Sequence, residues 1–408
     1  MSKTPDNTDA LHAVSMGSVQ TNSGNANISK KKDDDYRRQS QRASSVASDL
    51  DALADEGSAN SENEKIPPKE KPQLYAALDL GTNNCRLLIV EPHGRTFRVR
   101  DSFSRIVRLG EGLESAGALS DDAMERTIAA LKICASKIRR LHVSRIRCVA
   151  TEACRQAKNG PAFIKRVQRE TGLRLEIIDG QTEAKLAALG CENLFEEKAT
   201  SVLVFDIGGG STELTWLERG ALGKFGVRDV ASFPIGVVRL AERHAGAGDY
   251  EHGYDAIFDE CSGYLKEFAT RLGVDGEAGG IQLIGTSGTV TTLAAVHLGL
   301  ERYDRSRVDG CIMQMSHMMT VISNLKDMSR TQLSENPCIG AQRADLVLAG
   351  CAVVDALYQI WPVEQVSVAD RGLREGILLR MIRRDRRRGN YRKKARNASQ
   401  NAVPKVGK

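Results

Sequence analysis

Aromatic residues are scarce in this 408-residue chain, at 5% with two tryptophans, and prolines number ten. No apolar run exceeds strand length; Ser201-Val-Leu-Val-Phe205 is typical, which excludes a membrane-spanning helix. The first 30 residues have no apolar core of the kind a secretory signal carries. The nine cysteines form no C-x-x-C pair and are odd in number, which argues against a disulfide framework or a zinc site. Reduced thiols in a cytoplasmic setting are the expectation. Six of the seven histidines show no ligand spacing, His297 falls in an expected helix, and no Ser/His/Asp arrangement stands out. What remains is an ordinary globular composition, 41% hydrophobic and 27% charged, long enough for two or three domains.

The net charge of +6 divides unevenly. Residues 1–72 carry −2, residues 73–382 carry −2, and residues 383–408 carry +10. Residues 1–72 are rich in Ser, Asn, Asp and Lys and poor in β-branched residues, so a disordered segment is expected there. The tail 383–408 is expected to begin as the polar end of a helix and then fray into a basic disordered segment, able to contact a polyanion or RNA. Structure is expected over 73–382, as two domains at 73–198 and 199–382, with the last helix free to pack back on the first domain.

The core opens with an apolar run, Leu74–Asp79, a Gly/Asn turn at 80–84 and a second apolar run, Cys85–Val90, the pattern of a β-hairpin. A third strand is predicted at Arg95–Arg100 and a helix behind Ser120. Strand Arg145–Ala150, helix Pro161–Thr171, strand Arg174–Ile178 and a helix over 182–195 come next. Then the opening returns: Val202–Glu218 matches Tyr75–Glu91 at an offset of 127, aligning Asp79 with Asp206 and Gly81 with Gly208. A repeat this long fits two similar domains side by side. A helix near 254–272, strand Ile281–Ile284, helices Val290–Leu298 and Arg343–Trp361, strand Gln365–Val368 and helix Leu373–Ile382 complete the expected set.

The twin turns carry the chemistry. Gly81, Gly208, Gly209 and Gly210 let backbone N–H groups approach a phosphate, and Thr82, Asn83, Asn84, Ser211 and Thr212 add neutral donors. Asp79 and Asp206 end the first strands, placed to hold a hydrated divalent ion. Arg86 and Glu213 each lie seven residues after the matched Asp. They should oppose one another across a cleft, to hold phosphate and metal or simply as a salt bridge. Glu152, opening a helix after Thr151, reads equally as a general base or as a charge on a helix dipole, and Glu183 has the same form. The turn Gly285-Thr-Ser-Gly288 offers a weaker anion site.

These segments, with Arg108-Leu-Gly-Glu-Gly112, Ala150–Arg155, Phe233–Arg239 and Arg343-Ala-Asp345, resemble the exopolyphosphatase and guanosine pentaphosphate phosphohydrolase family over about 75–380. The resemblance implies an α/β, actin-like ATPase fold: two ribonuclease-H-like domains around a cleft. It implies Mg²⁺-dependent hydrolysis of a terminal phosphoanhydride, in polyphosphate or guanosine pentaphosphate, with Glu152 as general base. Glu183 becomes a carboxylate holding metal or water. Asp79, Asp206 and Glu213 become metal-site acids. Arg86, the glycine loops and Gly288 become phosphate holders, and Arg108 and Arg155 further substrate contacts. The chain resembles the short, two-domain form; a homodimer stays open. Two departures stand out: Gly-Thr-Asn-Asn where Gly-Ser-Asn-Ser is usual, and Lys185 where Arg is common. An ATP-dependent kinase of the same superfamily, or a nucleotide-sensing or RNA-associated binding protein without catalysis, are the alternatives.

Overall fold

The structure, a computed structural model, describes residues 73–94, 96–244, 250–273 and 280–401. The segment 1–72, Arg95 at the head of the third expected strand, and residues 402–408 of the tail lie outside them.

Apolar runs covered on both faces build the central hairpin of the first sheet. Strands β1 (Tyr75–Leu80), β2 (Asn84–His93) and β3 (Thr96–Ile106) form an antiparallel meander. Helices α1 (Leu113–Ala116) and α2 (Asp121–Arg140) lead to β4 (Arg145–Ala150). Then come α3 (Glu152–Gln156), α4 (Gly160–Thr171), β5 (Leu175–Ile177) and α5 (Gly180–Cys191), the last followed by a 3₁₀ turn, Glu192–Leu194. The sheet order is β3-β2-β1-β4-β5, with β4 parallel to both its neighbours. The period of two sends Ala76, Leu78 and Leu80 into one core and Tyr75 and Ala77 into another. Ser120 caps α2 by accepting from the N–H of Ala123, as its sequence position requires.

The second half repeats the plan. It runs β6 (Ser201–Ile207), β7 (Thr212–Arg219), β8 (Phe225–Phe233), α6 (Val237–His244), α7 (Tyr250–Leu272), β9 (Ile281–Thr286) and α8 (Ser287–His297). The chain continues through α9 (Arg305–Val308), β10 (Ile312–Gln314), α10 (Met315–Lys326), α11 (Arg330–Glu335), α12 (Ala344–Ile360), β11 (Gln365–Ala369) and α13 (Leu373–Asn401). Its sheet, read from β8, is β8-β7-β6-β9-β11-β10, the first order with one antiparallel strand added at the edge. Both sheets lie within one compact unit, so the two halves are lobes of one body. Twin mixed sheets of this order, flanked by helices, are the α/β actin-like ATPase fold.

The 127-residue offset holds in the registers. Tyr75 pairs with Val90 and Val202 with Leu217; Asp79 pairs with Arg86 and Asp206 with Glu213. Several boundaries differ from expectation. The segment 285–288 is no loop: β9 continues to Thr286 and α8 starts at Ser287, with Ser287 held at φ 78°. The basic tail does not fray at 383, since α13 continues to Asn401. Tyr75 and Arg145 both grip Asp385 at 3.0 Å, and Arg383 pairs with Glu192, so tertiary contacts carry the helix past its apolar part.

Helix α13 packs on the first sheet, burying Leu373, Ile377, Leu378 and Ile382 against Tyr75, Leu88 and Val149. It also presses on α5. A Cβ at Gly376 would lie 1.8 Å from the Leu186 carbonyl oxygen, and one at Gly190 would lie 2.1 Å from that of Gly372. Only glycine at both positions permits this approach. It delivers residues 370–375 to the floor of the cleft between the lobes.

Candidate active site

The two hairpin turns meet face to face. A Cβ at Gly209 would stand 3.1 Å from Thr82 Cβ, and one at Gly210 would stand 2.6 Å from Thr82 Oγ1 and 2.8 Å from Glu152 Cγ. The cleft they enclose is tight, with about 90 Å³ of free space, lined by Asp79, Gly81–Asn84, Arg86, Glu152, Glu183, Asp206, Gly208–Ser211 and Glu213.

The backbone of the turns is arranged for an anion. The Thr82 carbonyl accepts from Gly110 N–H, and the Asn83 carbonyl from Val107 and Arg108. Likewise the Gly208 carbonyl accepts from Val237, and the Gly209 carbonyl from Val238 and Arg239. A trans peptide points its N–H opposite its C=O, so the Asn83, Gly209 and Gly210 N–H groups are turned away from those anchors. Among the described residues, none of these N–H groups donates to a protein acceptor. Unpaired donors of this kind make an anion-binding concavity.

The carboxylates are confined and mutually repelling. Asp79 and Asp206 each keep a sliver of surface toward the cleft and are otherwise walled in by protein; desolvation pushes both up, Asp206 to about 6, while Arg86 pulls both down. Glu213, 2% exposed, is driven to about 8 by desolvation and then by the charge of Asp206, although it accepts from Ser211 Oγ (2.6 Å) and Ser232 Oγ (2.7 Å). Desolvation, then Glu213, raises Glu183 well above the carboxylate range. No ion pair within 4 Å joins Arg86 to Glu213, so the plain salt bridge between lobes is absent.

Glu152 sits between two arginines. Arg155 contacts its Oε2 at 2.5 Å, Arg239 from the other lobe lies 3.3 Å from its Oε1, and Arg155 reaches Glu183 at 3.3 Å. Arg155 is itself aimed by the Ile178 carbonyl, 2.6 Å away. Thr151 makes no side-chain hydrogen bond to cap α3.

No cluster of three or more His, Cys, Asp or Glu side chains forms a ready metal cage among the described residues. Mg²⁺ needs none, since it takes one or two carboxylates and completes its shell with waters and phosphate oxygens. The residues fit it: Asn83 Oδ1 is buried with no hydrogen-bond partner, in the cleft that Asp79 and Asp206 also line, and desolvation raises both carboxyl groups.

Four expected contributors do not line the cleft. Thr212 is wholly buried in β7, with its hydroxyl donating to the Ile235 carbonyl at 2.7 Å, so it offers no phosphate donor. Gly288 lines a neighbouring hollow with Arg343, not the cleft itself. Arg108 reaches across to the Gln342 carbonyl at 3.3 Å. Arg155 serves as a holder of carboxylates and does not line the cleft.

Two groups escape a reading of the sequence. Residues 370–375 line the floor, where Glu375 is held below the usual range: desolvation is outweighed by Arg374, Arg305 and the Gly372 N–H. A Gly followed three residues later by a Glu at a helix start is the available signal, as for Gly180 and Glu183. The other is Arg239, which ends the segment Phe233–Arg239 with nothing in its spacing to assign it a role.

The sequence profile of the Ppx/GppA phosphatase family matches residues 89–385. Exopolyphosphatase 2 of Mycobacterium tuberculosis is 30% identical over 322 residues, covering 74% of this chain and 97% of that protein. Among solved structures, the Aquifex aeolicus member of the Ppx/GppA family aligns with a TM-score of 0.65 at 30% identity, over 77% of this chain and 99% of that one. An exopolyphosphatase-like protein aligns at 0.69 and 30% identity, over 76% and 99%. An exopolyphosphatase from Cytophaga hutchinsonii shares the fold, at 0.68 and 23% identity over 76% and 97%. With a profile match across most of the chain and a near full-length relative at this identity, the chain belongs to the Ppx/GppA phosphatase family.

Proposed function

We propose that the protein removes terminal phosphate from inorganic polyphosphate, and that guanosine pentaphosphate, which ends in the same kind of phosphoanhydride, enters the same cleft. The observation that carries this reading is the junction of two turns whose N–H groups lack acceptors with a set of desolvated carboxylates around Glu152. The N–H groups of Asn83, Gly209 and Gly210, with Arg86, bind and orient the terminal phosphate. Glu152, aimed by Arg155 and Arg239, accepts a proton from the water that attacks phosphorus. The new P–O bond forms as the bridging P–O bond breaks, releasing phosphate and a chain one unit shorter. Charge developing on the equatorial oxygens is met by donors already in place. Asp79, Asp206 and Asn83 would hold Mg²⁺, which supplies charge neutralisation at the phosphoryl oxygens. Glu183 and Glu213 orient water through their carboxyl groups. Names of relatives support polyphosphate over the nucleotide.

The test is phosphate release by the purified protein with Mg²⁺ or with chelator, comparing long-chain polyphosphate, guanosine pentaphosphate and ATP. Release from polyphosphate that chelator stops is the expected result. ADP formation dependent on a small acceptor would point to a kinase, and binding without release to a sensor.

A further inference from the structure

The basic residues of α13 line a built groove. Arg380, Arg384, Arg387 and Arg388, at spacings of three and four, share one helical face, and Lys185 on α5 stands opposite. Together they edge a groove of about 1030 Å³, floored by Phe195, Leu217, Phe225 and Val227. The four arginines are exposed, and neither they nor Lys185 make an ion pair among the described residues. Arg383 between them is different: it is spent on Glu192. Asp385 ties the helix to Tyr75 and Arg145, so the cations ride on a fixed rail.

The groove is connected to the cleft. Thr182 and Lys185 line both the groove and a second hollow, and that hollow shares Glu152 and Ser211 with the cleft. Two carboxylates along the way are paired: Glu192 with Arg383, and Asp229 with Arg271 at 2.7 Å. Asp179, in the hollow, keeps its charge while capping α5 through Thr182. Cations therefore predominate in the groove itself, and an apolar floor strengthens their field. Like charges at i,i+4, as in Arg380/Arg384 and Arg384/Arg388, cost a helix stability. A bound polyanion would relieve that cost.

We propose that this groove is a track for a linear chain of phosphates whose end lies in the cleft. The inference rests on the polyphosphate reading above and extends it: the cleft has room for a terminus only, and the groove takes the phosphate units behind that terminus. A single strand of RNA carries a base at every phosphate, and its units are not joined by the phosphoanhydride that the cleft is proposed to take.

The experiment compares wild-type protein with a quadruple variant, Arg380→Gln, Arg384→Gln, Arg387→Gln and Arg388→Gln, and with the matching quadruple Lys variant. KM for long-chain polyphosphate and for tripolyphosphate is measured at low and at physiological salt. Direct binding of labelled long-chain polyphosphate is measured in the Glu152→Gln background. The Gln variant is expected to raise KM and Kd for the long chain about tenfold or more at low salt and to flatten the salt dependence. Tripolyphosphate turnover should stay within twofold, and the Lys variant should recover most of the long-chain affinity. Unchanged long-chain KM and Kd would overturn the track. If wild-type protein releases no phosphate from any polyphosphate yet the Gln variant still loses binding, the hydrolase reading fails and the track stands. Tighter binding of single-stranded RNA than of polyphosphate of equal charge would also overturn it.

Discussion

Arg239 Nη1 lies 3.3 Å from Glu152 Oε1, although the two residues belong to opposite lobes. The same guanidinium contacts Glu114 at 2.5 Å, Arg243 reaches Glu114 at 2.7 Å, and Glu242 accepts from the Gly112 N–H at 2.8 Å. Placement of the candidate base is thereby linked to the closeness of the lobes. An exposed ion pair would contribute little, but Arg239 and Glu152 are 17% and 16% exposed, so removing either leaves the other a poorly hydrated, uncompensated charge.

Arg239→Ala is therefore expected to lower kcat on the order of 10- to 100-fold, because misplacing a reacting group by about 1 Å costs that much. KM should change less. Arg239→Lys, which keeps the charge and loses the fork, should fall between. Steady-state kinetics with tripolyphosphate checks this, together with a pH–rate profile; a structural role alone would leave the profile unmoved.

Glu152→Gln keeps the shape and hydrogen-bonding reach of the side chain while removing its basicity. Turnover should fall roughly 10²- to 10⁴-fold with polyphosphate binding retained. Parallel kinetics and equilibrium binding decide it; a variant with half the wild-type rate would remove Glu152 from the base role.

Gly376→Ala should disturb fold and site together. The added methyl would meet the Leu186 carbonyl at 1.8 Å, a backbone atom that cannot swing aside. Overpacking of this kind costs about 1–3 kcal/mol, so the thermal midpoint should drop. Activity should fall as well, since α13 carries Arg374 and Glu375 to the cleft floor. Unaltered melting and rates would mean that the α5–α13 contact yields easily.

The twin hairpins are legible in the sequence because strand pairing has a strict period. Once Asp79 matches Asp206, the registers put Arg86 and Glu213 at equivalent places. Thr212 misleads because a hydroxyl beside a Gly turn looks the same whether it faces the cleft or the sheet; its use by Ile235 is a tertiary fact. Residues 370–375 and Arg239 are hidden for a related reason. Each reaches the site by packing against a distant element, through Gly190 and Gly376 in one case and across the lobes in the other. The tail reads as the polar end of a helix that soon frays, because its ion pairs to Arg145 and Glu192 join residues far apart in the chain.

Stability should depend on pH in the direction opposite to that of a salt-bridged acid. Glu213 ordinarily titrates near 4.5 and in the fold near 8, so between those values the folded chain keeps a proton that the unfolded chain has released. Stability then falls as pH rises through that window. Asp206, raised from 3.8 to about 6, acts with the same sign over the lower part, and Asp79 and Glu183 are raised too. Glu375, held low, opposes this only at more acidic pH, where its stabilising charge is lost. In chelator, the melting midpoint should therefore decline by several degrees between about pH 5 and about pH 8, given that about 1 kcal/mol moves the midpoint of a large domain by roughly 2–4 °C. Mg²⁺ binds the ionised carboxylates, so it should raise the midpoint clearly at the alkaline end and little at the acid end. Melts at both ends, with Mg²⁺ and with chelator, require no turnover and so test the cation site independently of the reaction. A midpoint flat with pH, or an equal Mg²⁺ effect at both ends, would show that these carboxylates are ionised and well paired without the ion.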